Sequence, residues 1–146
     1  MKNCAFWNYF QDYLAEHSVF IGKMPINGVF EYPWFDFYWT EPGQRWPFWA
    51  TLGEQIAGLA LVRFDEAGWR EISRFYVLPS FRRRGVGLHF ARRLLSRLQG
   101  QWKLNQACRN ATAVAFWYRV LDGFVPYQET SLFRQVERVE QPFIIE

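Results

Sequence analysis

Arg82-Arg83-Arg84-Gly85-Val86-Gly87 is the run of this 146-residue chain best suited to hold a ligand. It follows a stretch, Glu71 to Val77, that reads as a strand stopped by Pro79, and it precedes an apolar-periodic segment that reads as a helix. Gly85, Val86 and Gly87 therefore stand at a helix N-terminus. The first N–H groups of a helix lack intrahelical partners and carry a partial positive charge, so an anion is favoured there. Glycines let a bulky phosphate approach the backbone. The guanidinium groups of Arg82, Arg83 and Arg84 add charge-assisted hydrogen bonds of about 1.5–3 kcal/mol each where water is excluded. The ligand such a turn suits is a pyrophosphate.

The surrounding pattern narrows which pyrophosphate. A dinucleotide fingerprint wants a third glycine three residues after Gly87, where this chain has Phe90, and no Gly-Lys-Ser/Thr follows to make a nucleotide-triphosphate loop. Arg82, Gly85 and Gly87, after a strand ending in Val77, instead resemble the Gln/Arg-x-x-Gly-x-Gly/Ala signature of the GNAT acyltransferase superfamily, whose turn holds the pyrophosphate of coenzyme A. Asn110, Ala113 and Phe116 are similar to that superfamily's Asn-x-x-Ala-x-x-Phe-Tyr pattern. The register then departs from it. Trp117 fills the tyrosine position, Tyr118 comes one residue later, and Gly123-Phe124 arrives two residues late. One residue turns a helical side chain by about 100°. Glu71, eleven residues before Arg82, has the spacing of the catalytic glutamate in the histone-acetylating branch.

The resemblance implies one α/β domain over residues 1–146, with a mixed, mostly antiparallel sheet flanked by helices and a splayed central strand pair. It implies acetyl-CoA as cofactor, held by Arg82, Arg83, Arg84, Gly85, Val86, Gly87 and Asn110. Tyr76 and Val77 would pair with the pantetheine arm, the Val77 N–H facing the thioester oxygen as an oxyanion-type donor. Glu71 is the implied base and Tyr118 the candidate acid. The alternative for Glu71 is a structural carboxylate paired with Arg70 or Arg74. An acyl-cysteine route through Cys108 would need a nearby histidine, which neither His17 nor His89 offers in any evident way. The expected reaction is direct acetyl transfer to an amine, with a non-catalytic acyl-CoA-binding module and an enzyme acting on charged tRNA or protein as the other readings.

Other elements must position these residues. Residues ~4–17 have helical periodicity, with Phe6, Tyr9, Phe10, Tyr13 and Leu14 on one side. From Ser18 to Trp49 the pattern dissolves into turn residues and aromatics. Trp34, Tyr38 and Trp39, with Glu31, Asp36 and Glu41 among them, are candidates for a box around a cationic amine. The same rings serve equally as core, or as contact in a homodimer. Trp46 to Leu52 and Gln55 to Phe64 read as strands joined at Gly53-Glu54, the second buried on both faces. The helix after Gly87 ends at Gly100, Trp102 to Cys108 reads as a strand, and Asn110 caps a helix running to Leu121. Two strands are expected within Val125 to Val139, with Phe143 to Ile145 docking separately.

Half the residues are hydrophobic and 21% aromatic, too apolar for a disordered chain. No apolar run approaches the ~20 residues of a membrane span, and Asn8, Gln11 and Asp12 interrupt any signal-peptide core. Cys4 and Cys108 form no metal-ligand spacing and read as reduced thiols, so the expected setting is cytoplasmic and metal-free. A net charge of +3 suits an anionic cofactor and does not by itself argue for nucleic acid. A small-molecule amine is the expected partner. Arg92, Arg93 and Arg97 would be the phosphate contacts if RNA were bound.

Overall fold

The strand β2 (Gln55–Phe64) is buried without interruption from Ala57 to Val62, small and branched apolar residues alternating on its two faces, and the sheet is laid out around it. The computed structural model describes residues 4–122, 129–133 and 136–145. On one side β2 pairs antiparallel with β1 (Arg45–Leu52), and on the other with β3 (Arg70–Val77). Next come β4 (Gly100–Ala107), β6 (Val136–Ile145) and β5 (Glu129–Phe133), giving the order β1-β2-β3-β4-β6-β5. Only the β3–β4 pair is parallel among these neighbours. Its pairing is confined to Arg70↔Trp102, after which the strands part: this is the splayed central pair.

Helix α1 (Cys4–Ile21) runs a turn beyond its expected end, and a short α2 (Phe37–Thr40) interrupts the aromatic segment. Both cover one face of the sheet. Phe6, Phe10, Tyr13 and Leu14 of α1 meet Tyr32, Phe35, Tyr38, Leu59, Leu61 and Tyr76 there. The other face is covered by α3 (Val86–Arg97) and α4 (Ala111–Leu121), whose Leu94, Leu95, Trp117 and Val120 pack on Val62, Ile72, Trp102 and Leu104. Each large apolar side chain fully buried in these layers contributes about 1.5–3 kcal/mol. Trp102 is completely buried, and its indole N–H donates to Leu98 O at 2.7 Å.

Two details differ from the pattern read along the chain. The β6 strand continues through Phe143–Ile145, which pair with Gly100–Trp102, so the terminal apolar piece is part of the sheet. In β3 the pairing steps from Leu61↔Arg74 to Val62↔Ile72, leaving Ser73 as a bulge. A bulge shifts the alternation by one residue. Ile72 thus joins Phe75 on the α3/α4 face, while Arg74 and Tyr76 face α1 and α2.

Candidate active site

The turn between β3 and α3 holds two residues in the left-handed region, Arg83 (φ 61°) and Gly85 (φ 77°). The conformation costs an arginine about 1–2 kcal/mol, a local strain of the kind that gathers at functional turns. Gly85 is the N-cap of α3 and no side chain caps that end. A Cβ at Gly85 would meet nothing within 4 Å, so the turn is open on that side. Arg83 and Arg84 are exposed, Arg84 lying 5.5 Å over the Phe81 ring. Uncapped N–H groups, an open glycine and two exposed guanidiniums fit the pyrophosphate of coenzyme A.

The two glycines do different work. A Cβ on Gly87 would stand 3.2 Å from Val77 Cγ2 and 3.3 Å from Phe116 Cε1, so the missing side chain of Gly87 serves the packing of α3 against β3 and α4. Arg82 is also engaged. Its Nη1 lies 2.8 Å from Glu16 Oε1, its Nη2 donates to Glu16 Oε2 at 2.9 Å, and its Nε donates to Val77 O at 2.8 Å. The bond to Glu16 holds its pKa above the ordinary value. The guanidinium sits 5.4 Å over the Tyr76 ring. This partner comes from α1, 66 residues away in sequence.

Leu78 N–H donates to Ala57 O of β2 at 2.8 Å. Successive strand residues direct their backbone groups to opposite edges, so the N–H and C=O of Val77 project toward the gap where β4 has parted. Tyr76 is buried with its ring on the α1 face, and burial, then the Glu16 charge, raises its pKa. Asn110 caps α4, its side-chain oxygen accepting the Ala113 N–H at 3.2 Å. Through α4 it sets Phe116 against Gly87.

The remaining candidates are not brought to the turn. Glu71 is buried, with Oε1 accepting Arg63 Nε at 2.7 Å and lying 2.6 Å from Arg63 Nη2. Its ion-pair partner is thus Arg63, where the sequence suggested Arg70 or Arg74. It stands six residues before Val77, about 20 Å along the strand at about 3.3 Å per residue. On α4, Phe116 and Trp117 turn inward to Phe75, with ring centroids at 5.6 and 5.0 Å, while Tyr118 is 40% exposed. Two residues past Phe116 it is rotated by about 200°, away from Gly87.

Nor do Trp34, Tyr38 and Trp39 form one box. Trp34 is exposed beside Tyr32, with centroids 5.6 Å apart. Tyr38 is buried against the sheet, its hydroxyl 2.6 Å from Ser73 Oγ, and burial pushes its pKa well up. Trp39 packs on Phe6 and Phe35 at 5.1 and 4.7 Å. Glu41 is paired with Arg45 at 3.0 Å. Arg92 donates to Val120 O at 3.2 Å and Arg119 O at 3.1 Å, the carbonyl end of α4, which occupies it structurally.

The profile of the acetyltransferase (GNAT) family matches residues 7–122. None of the curated proteins matches the chain. Among solved structures, a Bacillus subtilis acetyltransferase in complex with CoA is similar over 76% of this chain and 84% of its own, with a TM-score of 0.57 and 12% identity. The ribosomal-protein-S18-alanine N-acetyltransferase of Escherichia coli is similar over 80% and 79%, with a TM-score of 0.55 and 17% identity. A variant of the spermidine N-acetyltransferase of Vibrio cholerae is similar over 75% and 72%, with a TM-score of 0.54 and 14% identity. At these identities the likeness establishes the fold, the one in which the B. subtilis protein holds CoA. With four-fifths of its length matched by the profile, the chain belongs to the GNAT acetyltransferase family.

Proposed function

We propose that the protein is an N-acetyltransferase that uses acetyl-CoA and passes the acetyl group directly to the amine of a small or medium-sized acceptor. The observation that carries this reading is the open, uncapped start of α3 lying beside the gap between β3 and β4. When bound, acetyl-CoA supplies an acetyl thioester. The N–H groups from Val86 onward, with Arg83 and Arg84, bind the pyrophosphate, and Arg82 joins them when it exchanges Glu16 for phosphate. The Val77 N–H, directed into the gap, donates to the thioester oxygen, where negative charge grows during attack. Tyr76 walls the α1 side.

The acceptor enters from the α1/α2 face, where Trp34 and Phe37 are exposed and offer an apolar part of the acceptor a surface. The amine reaches the gap as the neutral base, and the proton its nitrogen sheds as the amide forms passes through water to the leaving thiolate. No step is assigned to Glu71, which Arg63 holds, or to Tyr118, which faces outward.

The test is release of CoA thiol on mixing the protein and acetyl-CoA with a panel of small amines, amino acids and peptides. Turnover with any amine, giving the N-acetyl product in equal amount to thiol, supports the reading. Tight binding of acetyl-CoA with no turnover across the panel contradicts it in favour of a non-catalytic acyl-CoA-binding module.

A further inference from the structure

Building on that reading, we propose that Arg74 binds a carboxylate carried by the acceptor, so that the amine acetylated belongs to an amino acid or a similar amino-carboxylate. Arg74 stands on β3 just past the Ser73 bulge, facing α1 and α2, three residues before Val77. Its guanidinium lies 5.2 Å over the Tyr32 ring, and Nη1 donates to the Ser73 carbonyl of its own strand. The opposite edge is different. Nε is shut from solvent without a hydrogen-bond partner, and Nη2 makes no hydrogen bond among the described residues. No carboxylate of the described residues comes within ion-pair distance of Arg74.

The Nε–Nη2 edge is one of the guanidinium edges that can grip a carboxylate with two parallel N–H···O bonds. The same edge is occupied in other arginines of this chain: Arg63 places Nε and Nη2 on Oε1 of Glu71, and Arg92 places the same two atoms on the carbonyls of Val120 and Arg119. An arginine whose gripping edge is left over on the acceptor face is built for an anion from outside. The charge balance agrees. The groups felt by Arg74 are Tyr13, Tyr32, Tyr38 and Glu71. Glu71 is offset by Arg63, Glu41 by Arg45, and Tyr38 keeps its proton because burial raises its pKa. No ion pair among the described residues offsets Arg74 itself, and its guanidinium lies over the Tyr32 ring. Arg70 also has an unpartnered Nε, but its guanidinium lies over Trp46, Phe64 and Trp102 and donates to Gln99 O at the paired end of β3 and β4, seven residues before Val77.

The probes are N-acetyl amino acids with apolar side chains and their carboxamides, which are product analogues differing in one charge and having no amine whose own titration would disturb the comparison. They are titrated into the CoA-saturated protein at pH 7. The acids bind about tenfold to a hundredfold more tightly than the amides, the ratio expected for a charge-assisted pair. That ratio falls to near one in Arg74→Met and to an intermediate value in Arg74→Lys, with acetyl-CoA affinity unchanged in both. Equal or better binding of the amides to the unmodified protein, binding of neither, or an acid preference that survives Arg74→Met overturns the assignment. Acetyl-CoA titrated separately distinguishes the two failures. Absence of an acid preference in the unmodified protein, with cofactor binding intact, sinks only the role of Arg74, whereas a protein indifferent to acetyl-CoA sinks the acetyltransferase reading.

Discussion

Glu16 on α1 and Arg82 at the start of the α3 turn are joined by contacts of 2.8 and 2.9 Å, each carboxylate oxygen facing one guanidinium nitrogen. The two side chains are 50% and 38% exposed, so the pair contributes only about 0–1 kcal/mol to stability. A dianionic pyrophosphate is a stronger partner for Arg82 than one solvated carboxylate. Glu16→Gln is therefore expected to tighten acetyl-CoA binding several-fold while lowering Tm by no more than a few degrees. Calorimetry and a thermal melt check both, and weaker cofactor binding in this variant would show that Glu16 positions Arg82 instead of competing for it.

The glycines give a graded prediction. At Gly58 a Cβ would run into the backbone carbonyl oxygen of Tyr76, which cannot move without disturbing the β2–β3 pairing. At Gly87 it would press on the Val77 and Phe116 side chains, which can shift slightly. Overpacking typically costs about 1–3 kcal/mol. Gly58→Ala should therefore destabilise more than Gly87→Ala in denaturant unfolding. Gly85→Ala, whose Cβ meets only open space, should cost about 1–2 kcal/mol through its left-handed backbone alone.

Glu71→Gln should act on stability and not on chemistry. Removing one partner of a fully buried pair costs about 3–5 kcal/mol, and less is expected here because Arg63 is 36% exposed. The pH–rate profile keeps its shape. If Glu71 were the base, the variant would instead recover activity as pH rises and the amine loses its proton unaided. Tyr118→Phe should stay within about threefold of the parent kcat, as an outward-facing phenol with no role in proton transfer would.

Burial raises the pKa values of Tyr38 and Tyr76 above the ordinary phenol value. The folded state therefore keeps these protons where the unfolded chain loses them. Their contribution is complete below about pH 10 and is lost as pH climbs through and beyond it. Denaturant midpoints should fall between pH 9 and 11. Tyr38→Phe, which leaves no proton to hold at that site, should flatten the slope, and an unchanged slope would remove Tyr38 from the explanation.

What was legible in the sequence follows from how local each signal is. Unbroken apolar alternation in Ala57–Val62, Gly53 at the β1–β2 turn and Pro79 after Val77 mark strands and breaks through near neighbours, and those elements stand where expected. The splayed β3–β4 pair came only with the resemblance, since nothing along either strand encodes a gap. Glu16 for Arg82 and Arg63 for Glu71 are set by tertiary approach. The Ser73 bulge reverses the faces of Ile72 and Arg74 with no residue to announce it, so Arg74 drew notice only as a partner for Glu71. Among the aromatics, Tyr32, Phe35 and Tyr38 are core while Trp34 and Phe37 are exposed, a division composition does not carry.

The most direct measurement is the heat of titrating acetyl-CoA into the protein, with NADH as the comparator diphosphate. Micromolar binding of acetyl-CoA, lost in Arg83→Ala/Arg84→Ala, together with no response to NADH, is the predicted result. No binding of either, or equal binding of both, would contradict the assignment of the α3 turn to acetyl-CoA.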